Sequence, residues 1–144
     1  MAIAPRPEQL VAFAERAPAD GPILMLNLLK YREKAAYADG RASDLTGEQA
    51  YALYAAGVSE LLAAMGGRLA FAGRCHALVI GEGELPWDDV AVVAYPSLAA
   101  FQHMVGSAAY QEIHVHREAG LAHQLLIHCL SPEQAPAAFT LSSS

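Results

Sequence analysis

Three residues in the C-terminal half of the chain have types and a spacing that can do chemistry: Tyr110, His114 and Arg117. They stand one helical turn apart or less, so a helix would bring phenol, imidazole and guanidinium together on one face. A guanidinium binds a carboxylate or an enolate, and an imidazole can act as acid or base near neutral pH. We therefore predict His114 and Arg117 as catalytic candidates and Tyr110 as a ligand-binding residue. In the structural alternative, Arg117 only pairs with an acid such as Glu118 or with a partner subunit.

Further polar and aromatic residues are candidates for ligand binding: Asn27, Lys30, Tyr54, Trp87 and Tyr95. Asn27 interrupts an apolar run typical of a central strand, where an unsatisfied amide is costly. It therefore either bonds across the sheet or presents its amide to a ligand, and Lys30 is either an ammonium at the mouth of a cleft or a solvated strand end. The aromatic residues either fill a core or line a pocket suited to a small, flat, mostly apolar ligand.

The histidines do not form a metal-binding motif, and we expect neither a metal nor a cofactor. His114 and His116 would point about 200° apart around a helix axis, so they cannot share an ion there. The sequence contains no H-E-x-x-H and no C-x-x-C pattern. A site assembled from distant residues (His76, His114, His123 and His128) is an alternative, and haem would need an axial histidine that no pattern singles out.

Composition limits the partners of the chain. The net charge is −6 and the nine basic residues are scattered, which argues against nucleic acid as a partner. No apolar run approaches the roughly 18 residues of a membrane span, and the first residues lack the pattern of a secretory signal. Cys75 and Cys129 are expected to be buried thiols of a cytoplasmic protein. The high hydrophobic content, 54%, favours a homodimer in which apolar surface is covered.

The elements that must position these residues follow a familiar order. Apolar periodicity, helix caps and glycine stops predict a helix over 7–17, a strand over 23–31, a helix over 46–65, a strand over 68–81 with a bulge at Gly73, a strand over 90–95, two short helical segments over 97–105 and 107–120, and a strand over 121–130. Leaving the first helix aside, this is the ferredoxin-like βαββαβ arrangement, an α+β fold with both helices on one face of an antiparallel sheet. Two such sheets facing each other across a dyad form a dimeric α/β barrel, which covers the open face.

The chain divides into three parts on this prediction. Residues 1–21 form an N-terminal helix and turn, residues 22–130 the ferredoxin-like domain, and residues 131–144 a flexible C-terminal tail. The polar stretch over 33–44 is predicted to be a mobile loop.

Several blocks carry a family resemblance: Tyr51-x-x-Tyr54, Gly66–Gly67–Arg68, Tyr95–Pro96–Ser97–Leu98-x-Ala100, Ser107-x-x-Tyr110–Gln111 and Arg117. Two more resemble one of the family's subgroups: Asn27–Leu28–Leu29–Lys30–Tyr31 and Trp87–Asp88. Together these blocks, over roughly 22–129, resemble domain-of-unknown-function family 1330 (DUF1330), one of the dimeric α/β-barrel families. The resemblance implies the fold and a homodimer, and it implies no activity.

The chain departs from the subgroup pattern at one turn. The pattern follows the arginine with a Leu–acid–acid turn, where this chain has Leu121–Ala122–His123–Gln124. An acid at that turn that would work with Arg117 is therefore missing.

Two functions remain open on sequence grounds. In the first, the protein binds a small apolar or aromatic ligand between sheet and helices without catalysis. In the alternative, it is a cofactor-independent oxygenase or isomerase acting on an aromatic or enolisable acid, with His114 as base and Arg117 and Asn27 as anchors. This alternative rests on analogy with other barrels of the same fold. The absence of an obvious acid partner for His114 favours the first.

Overall fold

The computed structural model describes residues 2–135 and 138–139. The elements are α1 (Pro7–Arg16), β1 (Ile23–Tyr31), α2 (Gly47–Met65), β2 (Arg68–Arg74), β3 (Asp89–Tyr95), α3 (Leu98–Val105), α4 (Ala108–Gly120) and β4 (Leu121–Cys129). After α1 the order is the predicted βαββαβ, with the second helical region split into α3 and α4. In the described part of the chain, no helix is both long enough and apolar enough to cross a membrane.

The four strands form one antiparallel sheet in the order β2-β3-β1-β4. This is the ferredoxin-like topology, and it confirms the predicted fold class. Alternate residues of β1 point to opposite faces of the sheet. Ile23 and Met25 join the buried core with Leu62 and Met104 of the helices, so this side of β1 faces the helical layer.

Local capping explains why the helices begin and end where they do. Thr46 and Gln49 form a reciprocal capping box at the start of α2, with Thr46 Oγ1 accepting from Gln49 N at 3.1 Å. Gly66 ends α2 with φ of +81°, a left-handed conformation that glycine adopts readily. Ser97 and Ser107 each accept a hydrogen bond from the helical backbone that follows, so α3 and α4 start independently.

The second strand is shorter than predicted. It ends at Arg74 rather than at Gly81, because Arg74 pairs with Asp89, the first residue of β3, and no neighbouring strand extends beyond that point. The predicted bulge at Gly73 is also wrong, since the register shift lies between Leu69 and Phe71. The hydrophobic pattern does not show where a strand ends when that end is set by the residue at which the neighbouring strand begins to pair.

The face of the sheet opposite the helices is apolar. Phe71, Val92, Leu26 and Ile127 lie side by side in register across the four strands. Phe71 is 57% exposed and Ile127 43% exposed in the single chain. We refer to this surface as the open face.

The predicted mobile loop and tail both make contacts with the domain. In the loop over 33–44, Ala36 N donates to Ala119 O at 2.9 Å, and the Tyr37 hydroxyl lies 2.7 Å from His116 Nδ1. At the start of the predicted tail, Gln134 Nε2 donates to Pro22 O at 3.0 Å. Residues 136–137 and 140–144 of that tail lie outside the described residues.

Candidate functional site

A cavity of about 1040 Å³ lies between the sheet and the helices. The inward side of the sheet lines it, α2 and α4 face the sheet across it, and α1 with residues 2–5 contributes further lining. Six of the predicted site residues line this cavity: Asn27, Tyr54, Tyr95, Tyr110, His114 and Arg117.

Two predicted site residues, Lys30 and Trp87, are not among the residues that line the cavity. Because side chains alternate along a strand, Lys30 points to the side of β1 opposite Asn27. There its Nζ lies 3.3 Å from Asp88 Oδ1. The Trp87 ring packs edge-on against His123, with ring centroids 6.2 Å apart. The structure therefore separates these two from the other six predicted site residues.

A chain of hydrogen bonds, here called the polar relay, runs through Asn27, Gln124 and Arg117. The Asn27 amide donates to Met25 O at 3.2 Å and, across the sheet, to Ala91 O at 3.3 Å. Its oxygen accepts from Gln124 Nε2 at 2.8 Å, and Gln124 Oε1 accepts from Arg117 Nη2. The side chain of Asn27 thus has the predicted structural role and also orients residues inside the cavity.

Arg117 does not pair with Glu118, one of the partners that the structural alternative allowed. Its Nη2 donates to Gln124 Oε1 and to Ile3 O, both of which are uncharged. Gln124 was not predicted as a site residue, although it stands at the turn where the subgroup pattern has acids. That departure from the subgroup pattern was the sequence signal that could have identified Gln124 as a site residue.

His114 has an acid partner that sequence reasoning overlooked. Its Nδ1 lies 2.9 Å from Glu118 Oε1, a spacing of four residues on α4 that places the two side chains on one face. When the imidazole is protonated, this contact is an ion pair, and it places a carboxylate beside the candidate base. The His114 and Tyr110 rings are adjacent, with centroids 5.6 Å apart.

Four tyrosine rings form a continuous surface along the cavity, here called the tyrosine wall: Tyr31, Tyr51, Tyr54 and Tyr110. Successive centroids are 5.4, 5.3 and 5.9 Å apart. The Tyr54 and Tyr110 hydroxyls lie 2.9 Å apart, and the Tyr31 hydroxyl donates to Asp89 Oδ2 at 2.5 Å. The Tyr51 hydroxyl has no protein partner in the described part of the chain.

Burial raises the pKa of three phenols of the tyrosine wall and of Tyr95. It raises the pKa of Tyr51 to about 12, against the opposing effect of the Arg117 charge. Burial likewise raises the pKa of Tyr31, Tyr54 and Tyr95 well above the usual range, with further contributions from Asp89 on Tyr31 and from Tyr110 on the other two. At neutral pH the Tyr51 hydroxyl is therefore a hydrogen-bond donor and not a phenolate.

A separate ion-pair cluster lies at another part of the cavity lining. Arg74 Nη2 lies 2.5 Å from Glu48 Oε1, and Arg74 Nε lies 2.8 Å from Asp89 Oδ1. The three residues come from α2, β2 and β3, so no local sequence motif links them. Because the cluster has one guanidinium and two carboxylates, it carries one net negative charge.

His128 also lines the cavity and was considered above only as a distant metal ligand. Its Nε2 is buried and has no hydrogen-bond partner among the described residues. Desolvation lowers its pKa, and its ring packs against Phe13 with centroids 5.2 Å apart. Within the described residues, no three His, Cys, Asp or Glu side chains lie close enough to hold a metal ion.

The N-terminal segment covers part of the cavity. Ala2 O accepts from Gln124 N at 3.0 Å, and Ile3 O accepts from Arg117. Phe13 of α1 packs against Phe101 with centroids 5.7 Å apart. No residue of α1 is buried, so the helix is attached mainly through Phe13, while Ala2 and Ile3 attach the segment before it.

The fold and the site define a class: ferredoxin-like α+β proteins with a cavity between sheet and helices. A family model described as "Domain of unknown function (DUF1330)" matches residues 35–128, and the chain belongs to this family. The family predicted from the sequence is thereby confirmed.

The chain is also similar to solved structures. The crystal structure of methylated RPA0582 protein is 36% identical, with 91% of this chain and 96% of that chain covered and a TM-score of 0.81. A second structure, of the RPA0582 protein of unknown function from Rhodopseudomonas palustris, is 35% identical, with coverage of 88% and 94% and a TM-score of 0.78. A dimeric Bacteroides fragilis protein described as having a ferredoxin-like fold is 11% identical at a TM-score of 0.42, too low to carry an argument. No curated protein matches the chain.

Proposed function

We propose that the protein binds a small, mostly apolar or aromatic molecule in the cavity between sheet and helices. The observation that carries this proposal is the cavity itself, whose volume of about 1040 Å³ is that of a pocket for a drug-sized ligand. Its surface combines the tyrosine wall with a few convergent polar groups, the composition typical of small-molecule sites. Side chains that line an empty cavity lack packing contacts on one side, and a bound molecule would supply them.

Isothermal titration calorimetry with neutral flat aromatic compounds, such as 2-naphthol, indole and 2-naphthamide, tests this proposal. Ala55 and Ala56 are both exposed on α2, but only Ala55 lines the cavity. We expect Ala55→Trp to weaken binding at least tenfold by filling the cavity and Ala56→Trp to leave it unchanged. Equal binding by both variants would place the ligand elsewhere on the surface.

We further propose that two copies pair through the open face and that the protein works in the cytoplasm. The apolar row across the four strands has the character of an interface, because contiguous exposed apolar surface is uncommon on monomers. The described cysteines, Cys75 and Cys129, are free thiols at partly buried positions, which suits a reducing compartment.

A second candidate function is a cofactor-independent oxygenase or isomerase acting on an aromatic or enolisable acid. The pairing of His114 with Glu118 at 2.9 Å favours it, because a carboxylate beside an imidazole stabilises the protonated form that a general base becomes. His114 would remove the proton and Arg117 would anchor the substrate, with Asn27 holding Arg117 in place through Gln124.

The catalytic candidate is tested by following turnover of enolisable aryl-substituted acids, with and without oxygen. His114→Gln should lower the rate by about 10²- to 10⁴-fold and leave substrate binding intact. No turnover of any such acid by protein that binds these acids would exclude catalysis and leave the binding function.

A further inference from the structure

The charge of Arg117 has no carboxylate partner. Other basic side chains among the described residues, such as Lys30, Arg41 and Arg74, form salt bridges with acids. Arg117 lines the cavity and bonds only a carbonyl and an amide oxygen. A partly buried guanidinium without a counter-charge is electrostatically unfavourable, and an anion beside it removes that penalty.

The polar relay holds this guanidinium in place before any ligand arrives. Two strand carbonyls fix Asn27, Asn27 fixes Gln124, and Gln124 with Ile3 O takes both hydrogens of Arg117 Nη2. The remaining donors on Nε and Nη1 bond no acceptor in the described part of the protein. An anchor that is already ordered loses less entropy when it binds its ligand.

A second donor is available close by. Tyr51 lines the same cavity as Arg117, and its hydroxyl has no hydrogen-bond partner among the described residues. The end of α4 reaches Tyr51 on α2, since a Cβ at Gly120 would lie 3.2 Å from the Tyr51 Cβ. A phenol is protonated at neutral pH, and burial raises the pKa of Tyr51 further, so this hydroxyl can donate to an anion. A guanidinium edge and one hydroxyl match the planar geometry and single charge of a carboxylate.

We propose that the ligand of this cavity carries one carboxylate, bound by Arg117 and the Tyr51 hydroxyl, with its apolar body along the tyrosine wall. This inference rests on the proposed binding function and names the chemical class of the ligand. The unbalanced negative unit of the Glu48–Arg74–Asp89 cluster, which also lines the cavity, opposes a second negative charge on the ligand.

The test compares 2-naphthoate with its uncharged counterpart 2-naphthamide by calorimetry at pH 7.5. The protein should bind the acid at least tenfold more tightly than the amide. Arg117→Gln should abolish this preference by weakening acid binding far more than amide binding, and Tyr51→Phe should reduce acid binding severalfold. Arg41→Gln removes an equal surface charge far from the relay in sequence and should leave the preference intact.

A second variant, Gln124→Glu, provides an independent test in case Arg117→Gln does not fold. Gln124→Glu keeps the guanidinium and gives it a carboxylate partner within the protein, so it should also lower the preference for the acid. Equal affinity of the unmodified protein for acid and amide, or a preference that survives both variants, would overturn the carboxylate inference while the cavity still binds ligands. If neither probe binds, nor any of a panel of matched acid–amide pairs, the cavity proposal falls together with it.

Discussion

The phenol of Tyr54 illustrates how burial changes the chemistry of a single residue. Its hydroxyl meets that of Tyr110 at 2.9 Å, and burial with this neighbour raises its pKa above the ordinary value near 10. The folded protein therefore holds its proton at pH values where the unfolded chain releases it. The stability from this difference is complete below pH 10 and is lost as pH rises above it.

We predict that the free energy of unfolding falls with pH above 10, and that Tyr54→Phe makes the fall less steep. One such group contributes a slope of up to about 1.4 kcal/mol per pH unit in this range. Urea denaturation at several pH values between 9 and 11.5 measures the slope for both proteins. Identical slopes would show that Tyr54 ionises equally in the folded and unfolded states.

Asn27 is predicted to stabilise the protein through the relay as well as through the sheet. Asn27→Leu removes the acceptor of Gln124 Nε2, and leaving a buried donor unpaired costs about 1–3 kcal/mol. We expect a loss of this size in chemical denaturation, together with a weaker preference for 2-naphthoate, because Gln124 no longer fixes Arg117. Unchanged stability and an unchanged preference for 2-naphthoate would show that the polar relay neither stabilises the protein nor positions Arg117.

Helical spacing was sufficient to predict that Tyr110, His114 and Arg117 converge, because it is a local property of α4. Strand alternation, applied to β1, would also have separated Lys30 from Asn27. Gln124 was missed as the partner of Arg117 for a different reason. Apart from the changed residues at 121–124, no local pattern reports how β4 approaches α4, on which this contact depends.

At the scale of elements, α1 is the weakest attached part of the cavity wall. Its apolar residues Leu10 and Val11 are 51% and 56% exposed, and Phe13 makes its aromatic contacts with Phe101 and His128. Elements with few buried contacts open at low free-energy cost. The segment over 2–16 is therefore positioned to open and close access to the cavity.

Phe13→Ala should loosen α1 without unfolding the domain. Hydrogen–deuterium exchange of residues 7–16 should become faster, and the association and dissociation rates of an aromatic ligand should rise together. Val11→Ala, which removes an exposed side chain of the same helix that does not line the cavity, serves as the control. Exchange that stays as slow in Phe13→Ala as in the control would argue that other contacts hold α1.

The elements themselves followed closely from the sequence, and the exceptions are instructive. The starts of α2, α3 and α4 depend on Thr46, Ser97 and Ser107, whose capping is encoded within a few residues. The end of β2 depends instead on where β3 begins to pair with it. Local signals therefore predicted helix ends better than strand ends.

At the scale of the whole molecule, the open face determines the proposed assembly. Charging it should separate the two copies, because Phe71 and Ile127 lie in the apolar row that would be buried between them. We expect Ile127→Asp to convert a dimer to a monomer in sedimentation velocity. Leu53→Asp changes a similarly exposed residue on α2 and should leave the dimer intact. A monomeric unmodified protein at micromolar concentration would contradict the pairing.

The cavity is the centre of this account, and a crystal structure grown with saturating 2-naphthoate tests it most directly. We expect flat electron density between β1 and the helices, with the ring system against the tyrosine wall and the carboxylate beside Arg117 and Tyr51. Ligand density only on the outer surface, or helices packed onto the sheet with the cavity closed by side chains, would contradict it.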